Sequence, residues 1–150
     1  MNLEEQYDKI YRYCYFKLKH QQKAEDITQE TFLRFLESTT YRSEGKMLRY
    51  LYTIARNLCM DEFRRMPREQ NLDSLADAET QSHEDMQQLV ATTLDVRAAL
   101  EELPREEREL LLLYHANEVP AAVIAKLMGI SRFAVYRILK RAEKKFKEKL

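Results

Sequence analysis

Residues 119–138 are VPAAVIAKLMGISRFAVYRI, and the spacing of small and apolar residues in this stretch decides the fold of the C-terminal third of the chain. Ala125 is small enough for two helices to cross closely, and Gly129, four residues later, can adopt the positive φ of a tight turn. Ser131 is a good N-cap for a second helix. Three apolar residues would fill the core beneath the turn: Ile130, Val135 and Ile138. This spacing predicts a helix-turn-helix.

The second helix of this motif would carry a basic outer face. From Ser131 to Leu150 there are eight Lys and Arg residues and two Glu, a net charge of +6. The side turned from the core presents Phe133, Arg137, Lys140 and Lys144, with Tyr136, Arg141 and Lys147 at its flanks. The candidate DNA-contacting residues are Arg132, Phe133, Tyr136, Arg137, Lys140 and Lys144. A Lys-rich helix alone is often only a solvated surface. On the second helix of a helix-turn-helix, however, a basic face contacts the major groove and the phosphates, so we predict duplex-DNA binding.

The rest of the chain also favours helices. Only 2 Gly and 3 Pro occur among 150 residues, which leaves little material for hairpin turns. Apolar periodicity in the first third predicts one helix from Leu3 to Leu18 and a second over residues 24–38. After a turn at residues 41–45, a third helix is predicted over residues 46–65. We therefore expect an all-α protein whose first three helices form a bundle.

Each of these three helices has a predicted inner face, placed at about 100° per residue. In the first it comprises Leu3, Tyr7, Ile10, Tyr11, Cys14 and Leu18. In the second it comprises Ala24, Ile27, Thr28, Thr31, Phe32 and Phe35. In the third it comprises Leu48, Leu51, Tyr52, Ala55, Leu58, Cys59 and Phe63.

The distribution of charge predicts the domain organisation. The net charge of zero conceals +2 over residues 1–66, −6 over residues 67–95 and +4 over residues 96–150. Pro67 ends the first module, and the acidic stretch that follows shows little sustained periodicity. We predict two small helical domains, 1–66 and 96–150, joined by a flexible acidic linker over residues 67–95.

Several function classes lack the residues that they require. Cys14, Cys59 and the three histidines have no metal-ligand spacing, and two glycines cannot form a phosphate-binding loop. No signal segment or apolar run of membrane-spanning length occurs. We expect an intracellular protein that is not an enzyme and uses no metal or cofactor.

The outer faces of the second and third helices differ in character. The second presents an acidic surface with one leucine: Asp26, Gln29, Glu30, Leu33 and Glu37. Around the third, aromatic and polar groups interleave with arginines: Tyr41, Arg42, Arg49, Tyr50, Asn57, Arg64 and Arg65. Aromatic rings that stack on unpaired bases beside arginines that hold phosphates are typical of single-strand binding. Tyr50 and Asn57 are the strongest candidates for such contacts.

Three stretches together resemble the extracytoplasmic-function (ECF) group of the bacterial sigma-70 family of RNA polymerase sigma factors. Residues 24–34, AEDITQETFLR, are similar to the polymerase-docking helix of that group, and residues 51–65, LYTIARNLCMDEFRR, resemble its promoter-opening helix. Residues 100–104 and 107–113 and the helix-turn-helix resemble its C-terminal domain. The resemblance covers both modules in the order found in the family, and only the linker lies outside it.

The resemblance implies a role for each face. Asp26, Gln29, Glu30 and Leu33 would dock on the clamp of the largest polymerase subunit. Residues 41–45 and 49–57 would grip and open the −10 element, with an extruded base near Asn57. Residues 132–144 would contact the −35 element while the other face of that module holds the flap of the second-largest subunit. Family members are commonly inhibited by an anti-sigma factor, which is an expected partner here, and they act in the bacterial cytoplasm.

The chain departs from the family at several of these positions. Tyr50 stands where Trp is usual, Ala121 and Ala122 stand where acidic residues are common, and the usual residues at 132–138 are replaced. A promoter sequence therefore cannot be transferred from relatives. Besides a sigma factor, a DNA-binding regulator that does not engage polymerase fits the second module. It would need the first module to be a sensing or dimerisation bundle.

Overall fold

A computed structural model of the 150-residue chain describes residues 2–38, 44–67 and 90–150, without the side chains at 44, 45 and 90–94. Within these ranges every regular element is a helix, which confirms the all-α class. The helices are α1 Leu3–Leu18, α2 Gln21–Glu37, α3 Glu44–Arg65, α4 Val90–Glu101, α5 Arg105–Leu111, α6 Ala121–Met128 and α7 Arg132–Lys149. They belong to two compact units, residues 1–82 and residues 83–150. In the described ranges no helix has the length and apolar character needed to span a bilayer.

The first unit is a bundle in which α1, α2 and α3 each contact the other two. Its centre holds two fully buried tyrosines, Tyr13 and Tyr52, whose rings meet edge to face with centroids 5.7 Å apart. The Asn2 side chain caps α1 by accepting hydrogen bonds from the backbone N–H groups of Glu4 and Glu5. The core is completed by buried residues from all three helices: Ile10, Cys14, Leu18, Ala24, Phe32, Phe35, Leu51, Ala55 and Cys59.

Three predictions for the first unit are wrong in detail. Leu3 is exposed, because it lies in the first turn of α1, and Tyr13 occupies the core although it was not assigned to the inner face. Phe63 was expected inside but is 36% exposed, while Met66 is buried. Phe63 lies about 60° from the centre of the buried stripe of α3, whereas Met66 lies on it. The predicted turn at 41–45 is too long, since Glu44 and Gly45 already belong to α3; residues 41–43 lie outside the described residues.

The second unit packs α7 against α4, α5 and α6. After α5 the chain continues as a π-helical turn, Leu112–Ala116, so the helix that begins at Arg105 changes its winding after Leu111. Leu110, Leu113, Ile124 and Val135 are fully buried at the centre of this unit. The α4 helix begins at Val90, within the stretch predicted as linker. The remainder of that stretch, residues 68–89, lies outside the described residues.

Candidate nucleic-acid interface

The turn between α6 and α7 has the geometry that its sequence predicts. Gly129 ends α6 in the left-handed region at φ 70°, and its N–H donates to the Ala125 carbonyl. The N–H of Ile130 donates to the same carbonyl, with N and O 3.0 Å apart. Ala125 is buried, and of the three residues expected in the core beneath the turn, Val135 and Ile138 are buried while Ile130 is only half-buried. Because residues with a Cβ rarely adopt this conformation, Gly129 sets the direction in which the chain enters α7.

Ser131 begins α7 as an N-cap. Its Oγ accepts a hydrogen bond from the backbone N–H of Ala134 at 3.0 Å, which satisfies one of the N–H groups left free in the first turn. That first turn contains no acidic residue. The start of α7 therefore presents the positive end of the helix dipole with no carboxylate to repel a phosphate.

The structure brings all six predicted residues of α7 to one exposed surface: Arg132, Phe133, Tyr136, Arg137, Lys140 and Lys144. We call this surface the recognition face. The opposite side of the helix is buried, through Val135, Ile138, Leu139 and Ala142. Two aromatic side chains of the recognition face are strongly exposed, Phe133 at 76% and Tyr136 at 51%. The Tyr136 ring meets Tyr114 edge to face with centroids 6.5 Å apart, which restrains its orientation.

The cations of α7 divide into two groups. Arg141 and Lys145 both bind Glu107 Oε1, from Nε at 2.8 Å and from Nζ at 3.2 Å, and Lys149 binds Glu102 at 2.8 Å. The Glu107 side chain is only 3% exposed, so this pairing holds α7 against α5. Sequence periodicity placed Arg141 at the flank of the DNA-facing side, but its guanidinium is directed to the scaffold.

The remaining cations are left to solvent. In the part of the chain that the structure describes, Arg132, Arg137, Lys140 and Lys144 form no ion pair with a carboxylate. Their positive charge is therefore not neutralised within the second unit. Uncompensated Lys and Arg on one face are what phosphate binding requires, since each contact releases counterions from the duplex.

In the first unit, the predicted docking residues lie together on the outer side of α2. Asp26 and Gln29 are exposed, and Glu30 accepts a hydrogen bond from Arg34 at 2.8 Å across one helical turn. Leu33 is 56% exposed, and Leu36, three residues later, is 62% exposed. We name this surface, with Leu36 added, the α2 face. Leu36 was not among the predicted residues, although two exposed leucines three residues apart on a helix form one apolar contact surface.

The predicted residues of α3 are partly brought together. Arg49, Asn57 and Arg64 are exposed along one side of the helix, whereas the Tyr50 ring is half-buried and tilts against Phe35 with centroids 6.0 Å apart. Arg65 is exposed as well. Two further predicted residues, Tyr41 and Arg42, lie outside the described residues.

The arginines at the end of α3 have only weak local partners. Arg64 lies 3.8 Å from Asp61, and Arg65 lies 3.9 Å from Glu62, in both cases with the arginine side chain largely exposed. Exposed pairs at such distances contribute little and are easily exchanged for another anion. A shorter pair, Lys23 to Glu62 at 3.3 Å, joins α2 to α3 and belongs to the scaffold.

The fold therefore consists of a three-helix unit and a helix-turn-helix unit whose second helix carries the exposed basic recognition face. Residues 3–69 match the family Sigma-70 region 2, and residues 93–146 match the family Sigma-70, region 4. The chain belongs to the ECF group of the sigma-70 family of RNA polymerase sigma factors.

Three relatives illustrate the match. The ECF RNA polymerase sigma factor BldN of Streptomyces coelicolor is 32% identical over 147 residues, covering 93% of this chain and 56% of BldN. SigE of Mycolicibacterium smegmatis is 28% identical over 149 residues, covering 95% of this chain and 58% of SigE. SigW of Bacillus subtilis is 30% identical over 137 residues, covering 82% of this chain and 73% of SigW. This chain thus spans little more than half the length of the first two relatives.

Proposed function

We propose that this protein binds core RNA polymerase in the bacterial cytoplasm, recognises the −10 and −35 elements of promoters and promotes DNA melting. The observation that carries the proposal is the division of charge on α7. The carboxylates of Glu107 and Glu102 bind Arg141, Lys145 and Lys149. The cations of the recognition face therefore remain available to an external anion. This face follows the tight turn of a helix-turn-helix, the position from which such motifs enter the major groove.

The −35 element would be bound by the recognition face. Residues near the start of α7 would reach base edges, while Lys140 and Lys144 would hold phosphates further along the helix. The opposite side of the second unit would contact the flap of the second-largest polymerase subunit.

The −10 element would be captured by α3 together with Tyr41 and Arg42. Arginines along the exposed side, Arg49, Arg64 and Arg65, would hold the backbone of the opened strand. The exposed part of Tyr50 would stack on a base, and Asn57 would hydrogen-bond an extruded base. The ring of Phe35 packs against the ring of Tyr50 and restrains its position on the helix.

The α2 face would dock on the clamp of the largest polymerase subunit. It combines the carboxylates of exposed Asp26 and half-buried Glu30 with an apolar centre at Leu33 and Leu36. An apolar centre with a polar rim is the usual anatomy of a protein–protein interface. An anti-sigma factor is the expected inhibitory partner and would compete for these surfaces.

The proposal is tested by mixing the full chain with core RNA polymerase and following both by size-exclusion chromatography. Co-elution, followed by specific transcription from promoters selected by the complex, is the expected result. A DNA-binding regulator that does not engage polymerase would bind duplex DNA alone and elute apart from the core enzyme. That result would replace the proposal with this second candidate.

A further inference from the structure

The most exposed aromatic side chain of the recognition face stands at the start of the helix. Phe133 is the second residue of α7 and is 76% exposed, next to exposed Arg132 and one residue before half-buried Ala134. An isolated apolar ring held this far into water contributes little to the fold. A ring at this position is therefore available for an external contact rather than for packing within the second unit.

The surroundings of Phe133 favour DNA over a protein as its partner. The exposed cations Arg132, Arg137 and Lys140 share its face, and the first turn of α7 carries no acidic residue. This combination is complementary to a polyanion. In a helix-turn-helix, moreover, the first turns of the second helix are the part directed at base edges, while later turns reach the backbone.

The chemistry of the ring limits what it can recognise in the major groove. Phenylalanine has no hydrogen-bond donor or acceptor, so it cannot distinguish bases by their polar edges. The C5-methyl group of thymine is the one apolar group that a standard base pair displays there. Tyr136 differs, because its hydroxyl can hydrogen-bond and its ring is already restrained by Tyr114.

We infer that Phe133 is a specificity residue that packs on the C5-methyl group of a thymine in the −35 element. This inference rests on the proposed function and adds to it the identity of a contacted group. Loss of one methyl group from such an apolar contact should weaken binding about fourfold.

The test uses holoenzyme assembled from core RNA polymerase and the full chain. Promoter duplexes with a randomised −35 region and an already unpaired −10 region are first enriched by binding. Each thymine of the −35 region in the enriched duplex is then replaced in turn by deoxyuridine, which removes only the methyl group. Competition binding compares wild type, Phe133→Ala and Lys144→Ala. Lys144→Ala is the matched control, because it removes a proposed phosphate contact from the same face and leaves Phe133 in place.

The expected result is a single thymine whose replacement weakens wild-type and Lys144→Ala holoenzyme about fourfold and leaves Phe133→Ala unaffected. Equal sensitivity of wild type and Phe133→Ala, or no sensitivity at any thymine, would overturn the inference while leaving the proposed function intact. Wild-type affinity of Phe133→Ala for every duplex would overturn it too. Failure to enrich any sequence would overturn the proposed function and this inference with it. Circular dichroism of Phe133→Ala, whose side chain is largely exposed, checks that the fold is retained.

Discussion

Glu107 Oε1 accepts a hydrogen bond from Arg141 Nε at 2.8 Å, joining α5 to α7 across 34 residues of sequence. Lys145 Nζ reaches the same oxygen at 3.2 Å. The carboxylate is almost fully buried, whereas both cations remain about half-exposed. The orientation of α7 about its own axis is therefore set by this ionic contact as well as by the buried apolar side of the helix. The same orientation turns Arg137 and Lys140 outward.

The Glu107 contact predicts that removing its two cations destabilises the protein more than removing the charge of Glu107 itself. Replacing both Arg141 and Lys145 by Ala leaves a buried carboxylate without a counter-ion and should lower the free energy of unfolding by about 3 kcal/mol. Glu107→Gln keeps the shape, removes the buried charge and lets both cations face water, so its cost should be about 1 kcal/mol. Urea denaturation of the full chain measures both.

The matched control for this pair is Arg137→Ala combined with Lys144→Ala, which removes two cations from the same helix on its exposed side. Surface changes of this kind should alter the free energy of unfolding by less than about 0.5 kcal/mol. If the control destabilises the protein as much as the scaffold pair, the division of α7 into scaffold and recognition cations is incorrect.

The turn before α7 predicts a backbone effect at Gly129. Since φ is +70° there and nothing lies within 4 Å of an added Cβ, the cost of Gly129→Ala comes from backbone conformation alone. We expect a loss of about 1 kcal/mol in the free energy of unfolding. Gly129→Asn should cost less, because Asn tolerates the left-handed region. Thermal unfolding of the two variants ranks them, and equal losses would contradict this explanation.

The α2 face predicts a loss of polymerase binding without a loss of fold. Asp26→Ala combined with Leu33→Ala should weaken the affinity for core polymerase by about 2 kcal/mol or more if these residues lie at the centre of the interface. Leu36→Ala should add to that loss. Asp8→Ala, at an exposed position of α1, is the control. Retention of wild-type affinity by the double variant, measured by fluorescence titration, would show that the enzyme docks elsewhere.

The sequence predicted the helix-turn-helix well because its signals are local. A glycine with positive φ, a capping hydroxyl and a small residue at the helix crossing each act within a few residues. Gly129, Ser131 and Ala125 accordingly take the conformations expected of them.

Features that depend on distant partners were predicted less well. The direction of Arg141 is set by Glu107, and periodicity on one helix carries no information about a carboxylate on another. Phe63 was misplaced because it lies at the edge of the apolar stripe of α3. At that edge, the burial of a side chain depends on how far the neighbouring helix extends. The exposure of Leu36 likewise requires knowing that α1 and α3 leave that side of α2 uncovered.

The recognition face predicts different roles for two of its cations. Arg137 lies in the second turn of α7, close to the end expected to enter the groove, and it is exposed. Arg137→Ala should relax base preference in the −35 element and cost about 1–3 kcal/mol if the contact is a bidentate guanine pair. Lys144 lies about two turns further on, where we expect only the DNA backbone to be within reach. Lys144→Ala should weaken all sequences about equally and lower the salt slope by about one unit.

A binding selection over randomised −35 sequences, performed with both variants in holoenzyme, separates these two roles. Neither variant should affect capture of a −10 region that is already single-stranded in the template, because that step is assigned to Tyr50 and Asn57 of the other unit. This template therefore serves as the internal control for holoenzyme assembly. If Lys144→Ala changes the preferred sequence while Arg137→Ala leaves it intact, α7 enters the groove by its C-terminal turns, and the orientation inferred from the turn at Gly129 is reversed.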